Sequence, residues 1–233
     1  FYFKMKLAAL FSGGKDSTYS IYLAKKLGHT VDVLLTLYPY SDESHLLHYP
    51  NINFTSLQSE SMGIPQLIKK LTSNDSNHES EILNKLIVSA KTKYSIEGIV
   101  HGGILSEYQK NNFSLVCKQN QLEILSPLWN KDPESYMNEL FDENFEYIIS
   151  TVSSDGLDDS WLGQIIDGTN LNKLKKLQKK FSFNLNFEGG EAETFVTNCP
   201  LFEKSLLIQN STTEWDGYRG RFEILEAKLK DNA

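Results

Sequence analysis

The sequence contains few cysteines and none of the patterns that bind zinc. Only two cysteines occur, Cys117 and Cys199, and neither belongs to a CxxC pair or to a Cys/His group with metal-ligand spacing. Their scarcity excludes a zinc module and a disulfide framework, and it favours a reduced, cytoplasmic protein. Both cysteines stand among apolar residues, which predicts buried thiols.

Long apolar runs are also missing. No stretch reaches the length of about 18 apolar residues that a transmembrane helix requires, so no membrane partner is expected. The apolar start, Phe1-Tyr2-Phe3, is too short for a signal peptide. No Ser-His-Asp or Cys-His motif for nucleophilic catalysis stands out either.

Clustered positive charge is scarce. The net charge is −7, which argues against a broad electrostatic grip on nucleic acid, so no direct nucleic-acid binding is expected. The exception is the basic run 173–180, whose leucines recur at helical spacing. This spacing favours a solvated helix face, with a protein or RNA contact as the alternative.

The most informative segment is Ser12-Gly13-Gly14-Lys15-Asp16-Ser17, between an apolar run and an amphipathic one. This order predicts a strand, a tight glycine turn and a helix. Adjacent glycines let the backbone approach a ligand closely, and N–H groups at a helix N-terminus attract anions, to which Lys15 adds a positive charge. We therefore predict a cradle for a phosphate chain. A Gly-Ser turn that merely opens a helix is the alternative, and the spacer of a Walker A loop is absent.

Strand and helix signals alternate through the first half, which predicts an α/β fold with a parallel sheet. The predicted strands are 6–11, 31–37, 64–71, 96–100 and 122–125, and the predicted helices are 16–27, 51–62, 79–94 and 107–119. Ligands bind beyond the carboxyl ends of such strands, where the loops 12–17, 38–50 and 101–109 lie.

The pattern of strand and helix signals changes near residue 126, where we place a domain boundary. The first domain is predicted at 1–126, and a second, smaller mixed α/β domain at 127–233. In the second domain we predict helices at 134–141 and 172–181, a short helix beginning in 158–162, a strand at 147–152, and a tail at 183–226 that is rich in β formers and turns.

Two further segments carry polar groups that could serve chemistry. Three carboxylates, Glu188, Glu191 and Glu193, flank two glycines; Mg²⁺, a substrate cation or ammonia would relieve their repulsion. An acidic turn between strands is the alternative. The second segment, 102–110, again follows a predicted strand and opens a helix. Alone, it is better explained by one more strand–helix turn with polar residues on its surface.

Taken together, these motifs resemble the diphthine–ammonia ligase family of N-type ATP pyrophosphatases, in the PP-loop superfamily. The resemblance rests on S-G-G-K-D-S, G-x-I-x-S-x-Y-Q-[RK], P-L-W, E-G-G-E-x-E-T-F and C-P-L-F, in the family's order, from about residue 6 to residue 208. The segments Pro50-Asn51 and 58–65 add to it. Two positions depart from the usual pattern: Lys110 replaces an arginine, and Asn198 replaces a frequent aspartate.

The resemblance implies a Rossmann-like (HUP/PP-loop) ATP-binding domain, a second domain that carries the acidic motif, and use of ATP with Mg²⁺. It implies nucleotide contacts from Ser12, Gly13, Gly14, Lys15, Asp16, Ser17, Thr36 and Gly102. It implies acceptor contacts from Ser106, Tyr108, Gln109, Glu188, Gly189, Gly190, Glu191 and Thr194, with Trp129 as a possible aromatic partner. Catalytic roles fall to Lys15, Asp16, Glu191 and Glu193. Asp16 is the candidate Mg²⁺ ligand, with a helix N-cap as its structural alternative. His48 and His101 are interpreted as structural hydrogen-bonding residues.

The activity implied is amidation of diphthine on elongation factor 2, with ammonium as the nitrogen donor. The resemblance implies that the diphthine carboxylate reacts with ATP to give an acyl-adenylate and pyrophosphate, and that ammonia then displaces AMP. One alternative is a PP-loop enzyme that modifies RNA, which would need catalytic cysteines or a zinc module and usually a basic surface. Another is a nucleotide-binding regulator without catalysis.

Overall fold

The computed structural model describes residues 3–40, 51–73, 75–103 and 114–231. The chain forms two compact units. Unit 1 comprises Phe1–Ser12, Asp16–Tyr49 and Gly63–Trp129, and unit 2 comprises Gly13–Lys15, Pro50–Met62 and Asn130–Ala233. Two short segments from the first half of the chain therefore belong to unit 2 by their contacts, although both lie inside the range 1–126 of the predicted first domain. The boundary at 126 stays a prediction.

Unit 1 is built on a five-stranded parallel sheet, which confirms the predicted Rossmann-like α/β fold. Its strands are β1 (Lys6–Leu10), β2 (Thr30–Tyr38), β3 (Gln66–Lys70), β4 (Gly98–Val100) and β5 (Glu123–Leu125). Their order is β3-β2-β1-β4-β5. Strand β1 reads as a continuous apolar run because both of its faces are covered, and Leu7, Ala8 and Ala9 are fully buried.

Helices pack on this sheet to form the core of unit 1. They are α1 (Lys15–Lys26), α3 (Ser76–Tyr94) and a helical stretch at 114–119. The Asp75 carboxylate accepts the Asn77 N–H at the start of α3, as an N-cap residue does. Leu86, Ile87 and Ala90 pack against the sheet residues Ala8 and Val33. The predicted helix 107–119 is observed at 114–119; its residues 107–113 lie outside the described part of the chain.

Unit 2 contains an antiparallel sheet with helices beside it. Its strands are β6 (Glu146–Val152), β7 (Ala192–Asn198), β8 (Lys204–Trp215) and β9 (Gly220–Asp231), in the order β7-β6-β9-β8. Its longer helices are α4 (Pro133–Asp142) and α5 (Gly168–Phe181). The predicted short helix in 158–162 is a single 3₁₀ turn, Asp159–Trp161. The basic run 173–180 lies on α5, whose Leu171 and Leu174 are buried, which confirms the amphipathic helix.

One further helix, α2 (Thr55–Met62), follows a 3₁₀ turn at Ile52–Phe54 and belongs to unit 2. Its buried face is mostly polar, because Thr55, Gln58 and Ser61 recur every three residues and are each at most 2% exposed. Their side-chain donors are satisfied by main-chain carbonyls of this unit. The helix is therefore held by hydrogen bonds as well as by apolar burial.

Across the residues described here, no helix combines the length and the apolar character that a bilayer crossing would need.

Candidate active site

The order of strands in unit 1 places a switch point at the carboxyl edge of β1 and β4. Strand β1 lies between β2 and β4. The chain adds β2 and β3 on one side of β1 and then crosses to add β4 and β5 on the other. A crevice for a ligand opens where the strand order reverses in this way. The loop that begins at Ser12 follows β1, and His101-Gly102-Gly103 follows β4. The two loops touch: a Cβ at Gly102 would lie 2.0 Å from the Asp16 carbonyl oxygen. Only glycine allows this approach.

The ends of the S-G-G-K-D-S loop are tied together within unit 1. The Ser12 N–H donates to Ser17 Oγ at 3.3 Å, and the two hydroxyl oxygens lie 3.2 Å apart. Asp16 lies in the first turn of helix α1, at the end that favours anions. This closed loop at a helix N-terminus matches the predicted phosphate cradle in its geometry. The roles of its individual residues in binding a nucleotide remain predictions.

Gly13 has a left-handed backbone, with φ of +81°, and its carbonyl oxygen is held by two donors. The Val196 N–H of strand β7 donates to it at 2.9 Å, and Gln58 Nε2 of helix α2 donates to it at 3.0 Å. All three residues belong to unit 2. The first glycine of the loop is therefore fixed to the strand that carries the acidic motif.

Lys15 is almost completely buried, at 2% exposure, and its main chain and side chain both bond within unit 2. Its N–H donates to Thr194 Oγ1 at 3.1 Å, and its Nζ donates to the Asn186 carbonyl oxygen at 2.7 Å. The rings of Tyr136 and Phe187 each lie 5.6 Å from Nζ. A carbonyl and two aromatic faces are a favourable environment for an ammonium ion removed from water.

The acidic motif forms a turn that its own carboxylates brace. Glu191 Oε1 accepts the N–H and the side-chain amide of Asn184, both at 2.8 Å, and Oε2 accepts the Gly189 N–H at 2.8 Å. Glu188 accepts a hydrogen bond from the side chain of Asn186, the residue that holds Lys15. Asn186 thus links Glu188 of the turn to Lys15 of the S-G-G-K-D-S loop.

Past the turn, the motif continues into strand β7. The Glu193 N–H donates to Thr151 Oγ1 at 2.9 Å, and the Gly190 carbonyl accepts from Ser153 Oγ at 2.8 Å. Among the described residues, no group of three or more His, Cys, Asp or Glu side chains lies close enough to hold a metal ion. The carboxylates of Glu188 and Glu191 accept hydrogen bonds from nearby N–H groups.

Other predicted residues are placed in unit 1 or lie outside the described residues. Thr36 is 1% exposed; its hydroxyl donates to the Phe11 carbonyl at 2.8 Å and accepts from Gln66 Nε2. His101 is buried beside Ser126, with Nε2 and Oγ 2.6 Å apart, as a structural role predicts. Trp129 is 43% exposed. The residues Ser106, Tyr108, Gln109, Lys110 and His48 lie outside the described part of the chain.

The two thiols are buried, as predicted. Burial raises the pKa of Cys117 and that of Cys199 to about 12. A thiol with so high a pKa is hardly ionised near neutral pH and is a poor nucleophile. This argues against thiolate chemistry like that of the RNA-modifying alternative.

The structure adds residues to the site that sequence reasoning did not assign a role. These are Asn186 and Tyr136, which surround the Lys15 ammonium, Asn184, which bonds to Glu191, and Gln58, which holds Gly13. The three-residue spacing of Thr55, Gln58 and Ser61 was a usable signal, because it places three polar side chains on one helix face. No comparable pattern marks Asn186, whose contact with Lys15 uses a backbone oxygen.

Comparisons with known proteins agree along almost the whole chain. A family described as diphthamide synthase N-terminal domain matches residues 5–124, and one described as diphthamide synthase C-terminal domain matches residues 132–229. A bovine (Bos taurus) protein named diphthine--ammonia ligase is 34% identical over 225 residues, which cover 89% of this chain and 84% of the relative. The human protein of that name is 33% identical with the same coverage.

Two more distant relatives carry the same name. The zebrafish (Danio rerio) protein is 31% identical over 227 residues, which cover 90% of this chain and 88% of the relative. The Schizosaccharomyces pombe protein is 33% identical over 219 residues, but these cover only 36% of that longer protein. These matches cover most of the chain, and the chain belongs to the diphthamide synthase (diphthine–ammonia ligase) family.

Proposed function

We propose that this protein is an ATP-dependent ligase that amidates diphthine to diphthamide with ammonium. The observation that carries the proposal is the pair of bonds that join the phosphate loop to strand β7. These are the Lys15 N–H to Thr194 Oγ1 and the Val196 N–H to the Gly13 carbonyl. They hold the ATP motif against the strand that carries the acidic motif, which is what a ligase with two reactants in one site requires.

The loop residues would bind the triphosphate of ATP. Gly13 and Gly14 permit close approach of the backbone, Ser12 and Ser17 offer hydroxyl donors, and the start of α1 favours negative charge. Gly102 allows the two loops to approach each other, since a Cβ there would lie 2.0 Å from the Asp16 carbonyl oxygen. Thr36, at the end of β2, would line the adenine side. Asp16 would hold Mg²⁺ as a carboxylate ligand.

Charge develops on the pyrophosphate as it leaves, so donors fixed toward it would lower the barrier. Lys15 is the cationic residue of this loop, and its Nζ donates a hydrogen bond to the Asn186 carbonyl. In the proposed reaction the diphthine carboxylate attacks the α-phosphorus. AMP is then displaced by ammonia, so no side chain of the protein needs to act as a nucleophile.

The acidic turn would serve the acceptor. Diphthine carries a trimethylammonium group, and carboxylates and aromatic rings both attract such a cation. Glu188, Gly189, Gly190, Glu193 and Thr194 would form this side of the site. Glu191 would contribute as well, and its bonds to Asn184 and Gly189 set the shape of the turn. Ser106, Tyr108 and Gln109 are proposed as further acceptor contacts. The protein substrate would be elongation factor 2, in the cytoplasm.

The test of the activity is incubation with ATP, an ammonium salt and diphthine-bearing elongation factor 2, followed by intact mass measurement of the factor. Amidation replaces a hydroxyl by an amino group and lowers the mass by about one dalton, and this shift should need all three reactants. The nucleotide products should be AMP and pyrophosphate. If ADP and phosphate were the main products instead, the PP-loop interpretation would be wrong.

The residue roles can be separated by two variants. Lys15→Ala should abolish ATP cleavage while the circular dichroism spectrum stays that of a folded protein. Glu191→Gln should keep its affinity for Mg-ATP in calorimetry, yet lose amidation of elongation factor 2. If Glu191→Gln lost nucleotide binding as fully as Lys15→Ala, a metal-binding role would replace the acceptor role. A regulator without catalysis would bind ATP but release neither AMP nor pyrophosphate.

A further inference from the structure

Gln58 occupies an unusual position for a long polar residue. It lies in the middle of α2, has no exposed surface, and is surrounded by residues of unit 2. Gln side chains are mostly exposed in proteins, so complete burial needs hydrogen bonds that compensate for lost water. The partners of its amide group therefore indicate why it is buried.

Both protons of the Gln58 amide are used. Nε2 donates to the Gly13 carbonyl oxygen at 3.0 Å and to the Val196 carbonyl oxygen at 2.7 Å. Because both partners are acceptors, they fix which end of the amide is the nitrogen. The side chain thus joins the phosphate loop to strand β7, next to the bond from the Val196 N–H to the Gly13 carbonyl.

The other end of the amide lies against Gly13 itself. A Cβ at Gly13 would lie 2.5 Å from Gln58 Oε1 and 3.0 Å from side-chain atoms of Thr55 and of Phe195. Gln58, Thr55 and Phe195 therefore form the wall against which the left-handed glycine rests. They leave the backbone little room to move in that direction.

Stability alone does not explain why a glutamine occupies position 58. Oε1 is buried and has no hydrogen-bond partner among the described residues. A buried acceptor left unpaired costs free energy, which an apolar side chain of the same shape would avoid. A glutamine at this position is useful because one of its N–H donors holds the Gly13 carbonyl and the other holds the Val196 carbonyl.

We propose that Gln58 is a positioning residue for the nucleotide reaction, acting through Gly13. By holding the Gly13 carbonyl toward α2 and β7, it fixes the Gly13–Gly14 peptide plane and with it the conformation of the loop. The inference rests on the proposed use of ATP by this loop, and it adds a residue from outside the S-G-G-K-D-S motif to the machinery.

Two substitutions at Gln58 form a graded series in the full chain. Gln58→Met keeps the length of the side chain but has no donor, and should weaken Mg-ATP binding by roughly tenfold in calorimetry and lower kcat for AMP release. Gln58→His keeps one N–H donor and should fall between the wild type and Gln58→Met.

Ser61→Ala is the matched control. Ser61 lies one turn further along the same buried face, and its hydroxyl bonds to the main chain of Lys204 on β8, not to the loop. The Ser61→Ala substitution removes buried hydrogen bonds of the same kind, so the midpoint of thermal unfolding should also fall. Its ATP affinity and kcat should stay near those of the wild type. If Gln58→Met does not fold, the comparison of Gln58→His with Ser61→Ala decides the matter.

The outcomes separate this inference from the proposed function. ATP affinity that is unchanged in both Gln58 variants, or lowered equally in Ser61→Ala, overturns the positioning role while wild-type amidation stands. If the wild type binds ATP but does not amidate diphthine, diphthine is not the acceptor. The role of Gln58 is then tested by the ATP affinities of its variants. A wild type that binds no ATP overturns both.

Discussion

At the scale of single residues, Gly13 is constrained both by its backbone conformation and by its packing. Its φ of +81° is disfavoured for residues with a Cβ, and the space where a Cβ would lie is occupied by Gln58, Thr55 and Phe195. Backbone and packing therefore both require glycine. The sequence predicted the first requirement from the G-G pair, and it gave no information on the second.

Gly13→Ala should lower the free energy of unfolding by more than about 2 kcal/mol, since strain at a left-handed residue adds to displacement of the neighbouring side chains. It should also weaken Mg-ATP binding. The control is Gly28→Ala, where φ is +92° but no atom lies within 4 Å of the new Cβ. That variant should show only the backbone cost, about 1–2 kcal/mol, with ATP binding intact. Urea unfolding measures the free energy of unfolding of both variants. Equal losses of this free energy would contradict the packing argument.

At the scale of elements, the helices and strands of this chain follow closely from its sequence. The continuous apolar runs of β1 and β2 and the amphipathic pattern of α3 identified these elements to within a few residues, because the local pattern and the final burial agree there. The 3₁₀ turn before α2 and the single turn at Asp159–Trp161 were predicted as helix. Short turns of this kind have too few residues for periodicity to distinguish them.

Helix α4 offers a test of pH dependence at its start. The Ser135 N–H donates to the Asp132 carboxylate, and this bond lowers the pKa of Asp132 from its ordinary value of 3.8. The stabilisation is therefore present above pH 3.8 and is lost as the pH falls through the lowered pKa of the folded protein. Asp132→Asn keeps a capping oxygen without the charge. It should be less stable than wild type at pH 6, and the gap should close in strong acid.

Urea unfolding at pH 6 and near pH 2 measures that gap directly. Asp142→Asn, at the other end of the same helix, is the control, because a carboxylate at a helix C-terminus opposes the helix dipole. It should not destabilise the protein at pH 6. A gap for Asp132→Asn that does not change with pH contradicts the charge-based explanation.

At the scale of the whole molecule, unit 2 includes two short segments from the first half of the sequence, Gly13–Lys15 and Pro50–Met62. The alternating pattern predicted the parallel α/β sheet correctly. Nothing local indicated that α2 and Gly13–Lys15 belong with residues 130–233. Membership of a unit depends on contacts between residues far apart in sequence, such as Asn51 with Phe222 and Ile224, and no short pattern encodes these.

This arrangement predicts how the C-terminal part behaves when isolated. A fragment of residues 130–233 lacks Asn51, Gln58 and Ser61, which bond to β9, β7 and β8. It should unfold at a lower urea concentration than the same fragment with residues 51–62 joined through a flexible linker. Circular dichroism at increasing urea compares the two. Equal midpoints would mean that α2 contributes no net stability to unit 2.

The bonds from Thr194 and Val196 to the phosphate loop also bear on how this family can evolve. Many enzymes acquire new substrates by exchanging one domain for another, which works when the nucleotide site is complete within a single module. Here the Lys15 N–H donates to Thr194, and the Gly13 carbonyl accepts from Val196, on a strand encoded about 180 residues later. A recombination event that replaced the C-terminal half would remove that support and leave the inherited loop without its anchors. We therefore expect the two halves to be transmitted together, and new specificity in this lineage to arise by point substitution.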